Sequence, residues 1–203
     1  MLDKAGIRDQ FKKTLGRNDI TNELADTFID QAVSRIQRTL RVPAMEKIAE
    51  YLIDFDNEKS VTIPEDFLSM RFFFAGDREL QHLPIGRFMA LSPAVGTPSY
   101  YTRIGGEFRV HPAPPQGTKL SLVYYGEIPD LAADNSTNFL CAIAPDLLVY
   151  GALCFAADYF VDDRRPVFEE AFNRIYEELV EQALLVEMEQ SAMVIAPAYN
   201  TEY

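Results

Sequence analysis

Apolar residues recur at helical spacing near both ends of the chain. Over residues 3–16 they fall four apart, at Ile7, Phe11 and Leu15, which predicts a short amphipathic helix. A second helix is predicted to end before Pro43, and its apolar stripe consists of Leu24, Phe28, Ala32, Ile36 and Leu40, widened by Ile29 and Val33.

The C-terminal third is also predicted to be helical. Residues 145–161 are apolar on nearly every face, which predicts a central, buried helix. A last helix opens at Pro166, and its expected inward stripe is Phe168, Phe172, Ile175, Leu179, Ala183 and Val186. The pattern fades near residue 190, so residues 191–203 are predicted to form an extended tail.

Between these helical regions the apolar period changes to two. Residues 119–125 alternate, which places Leu120, Leu122 and Tyr124 on one face of a strand. Residues 100–110 form two alternating segments around Gly105 and Gly106. Paired glycines suit the positive φ angles of a two-residue turn, so this segment predicts a β-hairpin.

Other middle segments are more ambiguous. Residues 69–75 are rich in β-forming types and predict a strand. Residues 45–55 fit either a strand, with Ile53 and Phe55 two positions apart, or a helix. Residues 130–142 are predicted to be a loop.

The order of the elements predicts an α+β chain. Residues 1–43 and 142–190 are expected to form a helical bundle, and residues 44–141 a β-rich insertion. Residues 191–203 then form the extended C-terminal tail.

The net charge of the chain excludes some classes of function. The chain of 203 residues has 31 acidic and 19 basic side chains and a net charge of −12, the opposite of what counterion release from nucleic acid requires. Residues 142–203 carry 12 of the acidic and 3 of the basic side chains, so the acidity belongs to the C-terminal helices. No apolar run reaches the 18 residues that a membrane span needs, so no membrane contact is expected.

No catalytic motif is found in the sequence. The nucleophile elbow, the P-loop and the dinucleotide fingerprint are absent, and His82 and His111 have no identifiable metal partners. Glu177 and Glu181 lie four apart and could be a glycosidase carboxylate pair, but a row of glutamates at helical spacing is typical of a solvated face. We therefore expect no catalytic residue, cofactor or metal.

Three arginines rise at spacing three, at Arg35, Arg38 and Arg41. They could contact a phosphate or an acidic partner. A solvated helix face paired with Asp30 or Glu46 is the simpler interpretation.

The two cysteines, Cys141 and Cys154, are too few for a disulfide framework or a four-ligand zinc site. Cys154 lies in the apolar run and is expected to be a buried thiol. This cysteine usage favours a reducing compartment, and so assembly in a cytoplasm.

A set of short phrases, each weak alone, occurs in a recognisable order. They are Pro64-Glu65-Asp66-Phe67-Leu68, Gly96-Thr97-Pro98-Ser99-Tyr100-Tyr101, Ile104-Gly105-Gly106 with Pro112-Ala113-Pro114, Val123-Tyr124-Tyr125 with Ile128-Pro129-Asp130-Leu131, and Ala144-Pro145-Asp146-Leu147 with Tyr150-Gly151-Ala152-Leu153. From about residue 22 to about residue 180, the chain resembles the head-to-tail adaptor family of tailed bacteriophages, the podovirus-type portal adaptors similar to tail tubular protein A.

The resemblance implies a structural virion protein without catalytic residues. Such adaptors form a ring, commonly of twelve copies, that joins the portal protein to the tail nozzle protein and lines the DNA ejection channel. An acidic lining would let genomic DNA pass without specific binding. Two alternatives stay open: another connector or collar ring protein of a phage, and a tail-associated glycan hydrolase that uses Glu177 and Glu181.

The tail is the expected docking element for partners. Its apolar residues Val194, Ile195, Tyr199 and Tyr203 form no helical stripe, and an extended segment can add a strand to a neighbour or fill a groove. The alternative is a mobile terminus.

Overall fold

The structure, a computed structural model, describes residues 2–55 and 59–190. Within these residues it contains six α-helices and two four-stranded sheets, which confirms the predicted α+β class. The chain divides into a helical unit, Met1–Val42 with Pro129–Tyr203, and a β unit, Pro43–Ile128.

The helices are α1 (Lys4–Leu15), α2 (Asn22–Thr39), α3 (Ile85–Met89), α4 (Phe139–Ile143), α5 (Pro145–Phe160) and α6 (Arg165–Gln190), with a 3₁₀ turn at Pro43–Met45. The strands are β1 (Glu46–Leu52), β2 (Ser60–Thr62), β3 (Phe67–Ala75), β4 (Arg78–Glu79), β5 (Gln81–His82), β6 (Tyr100–Ile104), β7 (Glu107–His111) and β8 (Lys119–Gly126).

Side-chain caps fix where the first helices begin. Asp3 accepts a hydrogen bond from the Gly6 amide at 2.8 Å, and Thr21 accepts one from the Leu24 amide at 3.2 Å. Gly16 ends α1 in the left-handed region at φ 73°, where a residue without Cβ is favoured.

The segment predicted to be a loop, residues 130–142, contains the start of α4. The Asn138 side chain caps this helix by accepting from the Cys141 amide at 3.1 Å, and its own amide donates to the Pro129 carbonyl. The helical unit begins again at Pro129, so residues 129–141 lie with the helices and not with the strands.

Helix α5 is the centre of the helical unit. It packs against α1, α2, α4 and α6, and most of its residues are buried. At Gly151 the neighbouring helices come so near that a Cβ would lie 2.9 Å from Ala32 Cβ and 3.2 Å from a ring carbon of Phe172. Glycine is therefore required here for close packing of helices on two sides.

Helix α6 extends beyond the partners that bury its first half. Phe168, Phe172 and Leu179 are buried as predicted, but Val186 is 39% exposed, so its place in the inward stripe was wrong. With 26 residues α6 is about 39 Å long, whereas the 16 residues of α5 span about 24 Å. From Leu184 onward the large apolar side chains of α6 are exposed, so its last turns are largely uncovered within the described residues.

The β unit is a sandwich of two sheets, with strand orders β1-β8-β3-β4 and β2-β7-β6-β5. Leu120, Leu122 and Tyr124 share the inner face of β8, as the alternation predicted. They pack with residues of both sheets, namely Ile53, Val61, Phe73, Ala75, Leu80, Phe108 and Val110. Residues 46–52 are a strand rather than a helix, and Phe55 does not share the buried face of Ile53 because it is 75% exposed.

The predicted hairpin forms between β6 and β7, with Tyr101 opposite Val110. Of its two turn glycines only Gly105 has a positive φ, 62°, so the expectation for Gly106 was wrong. Positive φ at the first central residue alone is what a type II′ turn requires, whereas a type I′ turn requires it at both.

Strain is localised at the end of α5. Val161 caps this helix at φ 53° and ψ 50°, a left-handed conformation that β-branched residues rarely adopt, and its side chain is 88% exposed. We expect Val161→Gly to stabilise the chain by about 1 to 2 kcal/mol, since the strain disappears and almost no packing is lost. Urea unfolding measures the effect, and a destabilised variant would contradict it.

The packing at Gly151 gives a second prediction. Gly151→Ala should lower the free energy of unfolding by about 1 to 3 kcal/mol, because the new methyl group meets Ala32 Cβ, which lies too near its own helix backbone to move aside. Gly86→Ala in α3 is the matched control, since open space surrounds that position, and it should be neutral or slightly stabilising. Equal unfolding curves for the two variants would refute this account.

Candidate interaction surfaces

The first sheet has an exposed apolar face. Because Leu120, Leu122 and Tyr124 point into the core, Val123 lies on the opposite face of β8, where it pairs with Ile48 on one side and Phe72 on the other. The outer sheet face comprises Ile48, Leu52, Phe72, Phe74 and Val123, of which Ile48 is 68% exposed, Leu52 63% and Phe72 39%.

Ion pairs border this outer sheet face. Lys119 binds Glu50 at 2.8 Å across the β1–β8 pair, and Arg71 pairs with Glu46. The Arg71 guanidinium also lies 5.6 Å from the centre of the Phe72 ring. An apolar centre with a charge-neutral polar rim is the usual anatomy of a protein–protein contact surface.

A second apolar surface lies on the segment between β5 and β6. Ile85 is 53% exposed, Met89 62% and Val95 66%. This segment includes α3, which packs on β6. Because this segment is packed on a strand and is not a free chain end, its exposed side chains have defined positions.

The third apolar surface is the end of α6. Leu184 and Leu185 are each 55% exposed, and Met188 is 62% exposed. All three follow Leu179, the last buried residue of α6 among those described.

The scaffold beneath the helical surfaces is held by Arg8. This residue is 6% exposed, and its Nε and Nη2 atoms donate to the Asp26 carboxylate at 2.6 and 2.8 Å. Nη2 also donates to Asp134 at 2.6 Å, which fastens α1 to α2 and to the segment before α4. The hydrogen bonds to Asp26 and Asp134 raise the pKa of Arg8, so the charge is permanent.

The three arginines at spacing three, Arg35, Arg38 and Arg41, do not share one partner. Arg35 forms a bidentate pair with Glu169 of α6 and lies 4.0 Å from the centre of the Phe172 ring. Arg41 donates to the carbonyls of Gln37 and Leu40. The expected partners Asp30 and Glu46 are therefore wrong for Arg35, and Glu46 pairs instead with Arg71.

The buried thiol of Cys154 adjoins the Arg35–Glu169 pair. Burial, with the Glu169 carboxylate nearby, raises the pKa of Cys154 to about 12, so the thiol stays protonated. The guanidinium of Arg35 has the opposite effect on its partner and lowers the pKa of Glu169 below its ordinary value. Cys154 is thus the buried thiol that the sequence predicted.

The other candidate residues lie apart from one another. Glu177 and Glu181 are exposed on α6, while His82 and His111 contact the rings of Tyr101 and Phe88. Over residues 2–55 and 59–190, no group of three or more His, Cys, Asp and Glu side chains could hold a metal ion. None of the described helices is long and apolar enough to cross a membrane.

The residues expected to bind partners, Val194, Ile195, Tyr199 and Tyr203, lie outside the described part of the chain. The outer sheet face was not among the sequence predictions. The sequence pattern that indicates this face is the alternation of Ile48 and Leu52 with Glu46 and Glu50. The pattern is ambiguous because Ala49, Tyr51 and Ile53 form an apolar row on the other face of the strand.

An exposed apolar surface with a polar rim, such as the outer sheet face, is a feature of proteins that act by binding other proteins. A family model described as SU10 adaptor protein matches residues 3–197, and the chain belongs to this family of phage head-to-tail adaptors. No curated protein matches the sequence. The resemblance drawn from the short phrases is thereby confirmed.

Membership of this family establishes the general class of the protein. It is a bacteriophage adaptor, a structural component of the virion that interacts with other head and tail proteins. The family is not typically enzymatic.

The Arg35–Glu169 pair generates a pH prediction. Because the pKa of Glu169 is lower in the folded chain than its ordinary 4.5, the pair stabilises the fold above that pH and this contribution is lost as the pH falls below it. Glu169→Gln should be less stable than the parent at pH 7 and should lose less stability from about pH 5 to pH 3. Unfolding curves across this range test it, with Glu177→Gln on the exposed side of α6 as the control. Parallel acid losses in parent and Glu169→Gln would be the contrary result.

Proposed function

We propose that this adaptor forms a ring of copies, twelve as in related particles, that joins the portal protein to the tail nozzle protein. Genomic DNA passes through the ring without specific binding. The observation that carries the proposal is the outer sheet face, an apolar surface with a neutral rim on a chain of a head-to-tail adaptor family.

A closed ring needs two different surfaces on each copy, because cyclic contacts are heterologous. The chain offers more than one apolar surface. The outer sheet face and the α3 segment lie in the β unit, and the end of α6 lies in the helical unit. These surfaces can serve copy-to-copy contacts and contacts with the portal and nozzle at the same time.

Charge supports a passive role toward DNA. The chain carries −12 in total, and Glu177, Glu178 and Glu181 are exposed on α6. A channel lined by such side chains repels phosphate, so the duplex slides instead of being retained.

The tail from residue 191 to residue 203 adds a further contact in this proposal. Val194, Ile195, Tyr199 and Tyr203 supply apolar and aromatic anchors for the portal or for a neighbouring copy. Assembly takes place in the host cytoplasm, a compartment that suits the two buried free cysteines Cys141 and Cys154.

The outer sheet face is tested by charge insertion. We expect Ile48→Asp with Leu52→Asp to leave the chain folded, because both side chains are exposed, and to abolish its incorporation into particles. Thr62→Asp, also exposed but on the second sheet, is the control and should incorporate normally.

Electron microscopy of particles gives the readout. A ring of this chain between portal and tail nozzle, present with the control and missing with the double variant, is the expected result. Particles that lack such a ring in the parent, or that incorporate the double variant at the parental level, would overturn the proposal.

A further inference from the structure

A groove on the helical unit has the features of a receptor for a helix. It lies between α2 and α6, has a volume of 350 Å³, and is lined by Arg35, Arg38, Thr39, Phe172, Asn173 and Tyr176. Its apolar part consists of the stacked rings of Phe172 and Tyr176, whose centres are 6.2 Å apart.

Arg38 extends this groove along α2. A neighbouring groove of 410 Å³ shares Arg38 and continues past Ser34, Gln31, Asp30 and Thr27, with Phe155 of α5 beside it. We call the two together the Arg38 groove. From Thr27 to Thr39 it follows twelve residues of α2, about 18 Å, which is long enough for about three turns of a bound helix.

Arg38 is the basic side chain of this groove that no acidic residue of the described ranges pairs with. Arg35 is already held by Glu169, and Asp30 lies 4.0 Å from the Lys4 ammonium group. Arg38 is exposed and forms no ion pair with any residue in the described ranges. A helix that fits here would present an acidic side chain beside apolar ones.

The end of α6 has that composition on one face. Glu181, Leu184, Leu185 and Met188 stand at spacings of three, four and seven, which places them in a single stripe. All four are exposed, and Glu181 has no ion-pair partner among the described residues. Anchors at this spacing are how an amphipathic helix binds a groove.

The end of α6 cannot bind the Arg38 groove of its own chain. The groove is lined by Phe172 and Tyr176 of the same helix, which continues unbroken to Gln190. Met188 lies twelve residues beyond Tyr176, about 18 Å along the axis. The occupant must therefore come from another molecule.

We propose that the end of α6 from one copy binds the Arg38 groove of the next copy, with Glu181 facing Arg38 and Leu184, Leu185 and Met188 on the Phe172 and Tyr176 rings. The contact is heterologous, since each copy gives one helix end and receives another, so it can close a ring. The inference rests on the proposed ring and specifies one of its interfaces.

Charge exchange tests the pairing in the full-length chain. Arg38→Glu and Glu181→Arg should each weaken association between copies about tenfold, and the double exchange should restore most of it. The control Gln182→Arg adds positive charge at the next position, about 100° around the helix, and should have little effect. Circular dichroism checks that every variant is folded.

A cross-link locates the contact in particles. Asn173→Cys with Leu185→Cys should give disulfide-linked ladders of the chain in assembled particles, because Asn173 lines the same part of the groove as the Phe172 and Tyr176 rings. Asn173→Cys with Gln182→Cys should not, and both native cysteines are buried. Rings without the ladder and without the charge rescue would overturn the helix contact while leaving the ring proposal standing. Particles with no ring of this chain would overturn both. A helix end cross-linked to the portal protein instead would also exclude a second copy as the occupant.

Discussion

The helical unit depends on how closely two helices can approach α5. Residues 43–128 interrupt this unit in the sequence, so α2 before the interruption and α5 after it must find each other across more than eighty residues. They do so at Gly151, where Ala32 of α2 and Phe172 of α6 occupy the space that a side chain would take. Because both neighbours use the same position, the two flanking helices are fixed by one small residue. Gly151 also belongs to one of the short phrases on which the family resemblance rests. The residue that close helix packing requires is therefore also one of the residues that indicate the family.

Local periodicity predicted the elements that have one buried face. Most of the α2 stripe, the apolar run of α5 as far as Ala157 and the alternation of β8 have their expected burial, because each pattern repeats over several turns or pairs. Leu24 at the start of α2 is half-buried, and Tyr159 and Val161 at the end of the predicted buried helix are exposed. Val186 and Phe55, which were also expected on a buried face and are exposed, lie toward or beyond the end of an element. Val186 continues the α6 stripe in sequence but follows Leu179, the last buried residue of that helix among those described. Phe55 follows β1 after its pairing with β8 has stopped. The spacing of apolar residues along one element does not indicate where the residues that cover it end.

The interaction surfaces were harder to predict from the sequence than the helices and strands. Arg35 and Glu169 are 134 positions apart, so only the packing of α2 against α6 could make them partners. Ile48 and Leu52 alternate with glutamates in the manner of an outward face, yet the inner face of β1 is apolar as well, so the pattern alone does not say which row is exposed. The ordered phrases identified the family because their order reflects the whole fold, whereas a surface consists of a few residues from several strands or helices.

Apolar surfaces and net charge act against each other in an adaptor. Each copy carries −12, so copies repel one another at distances up to a Debye length of about 8 Å at physiological ionic strength. Within the described chain many of the basic groups are already paired internally, as Arg8, Arg35 and Arg71 show, and they contribute little attraction toward another copy. Association then depends on short-range apolar contacts large enough to outweigh the repulsion. In the proposed ring, a platform such as the portal would hold several copies together and raise their local concentration, which favours their association over the repulsion between them.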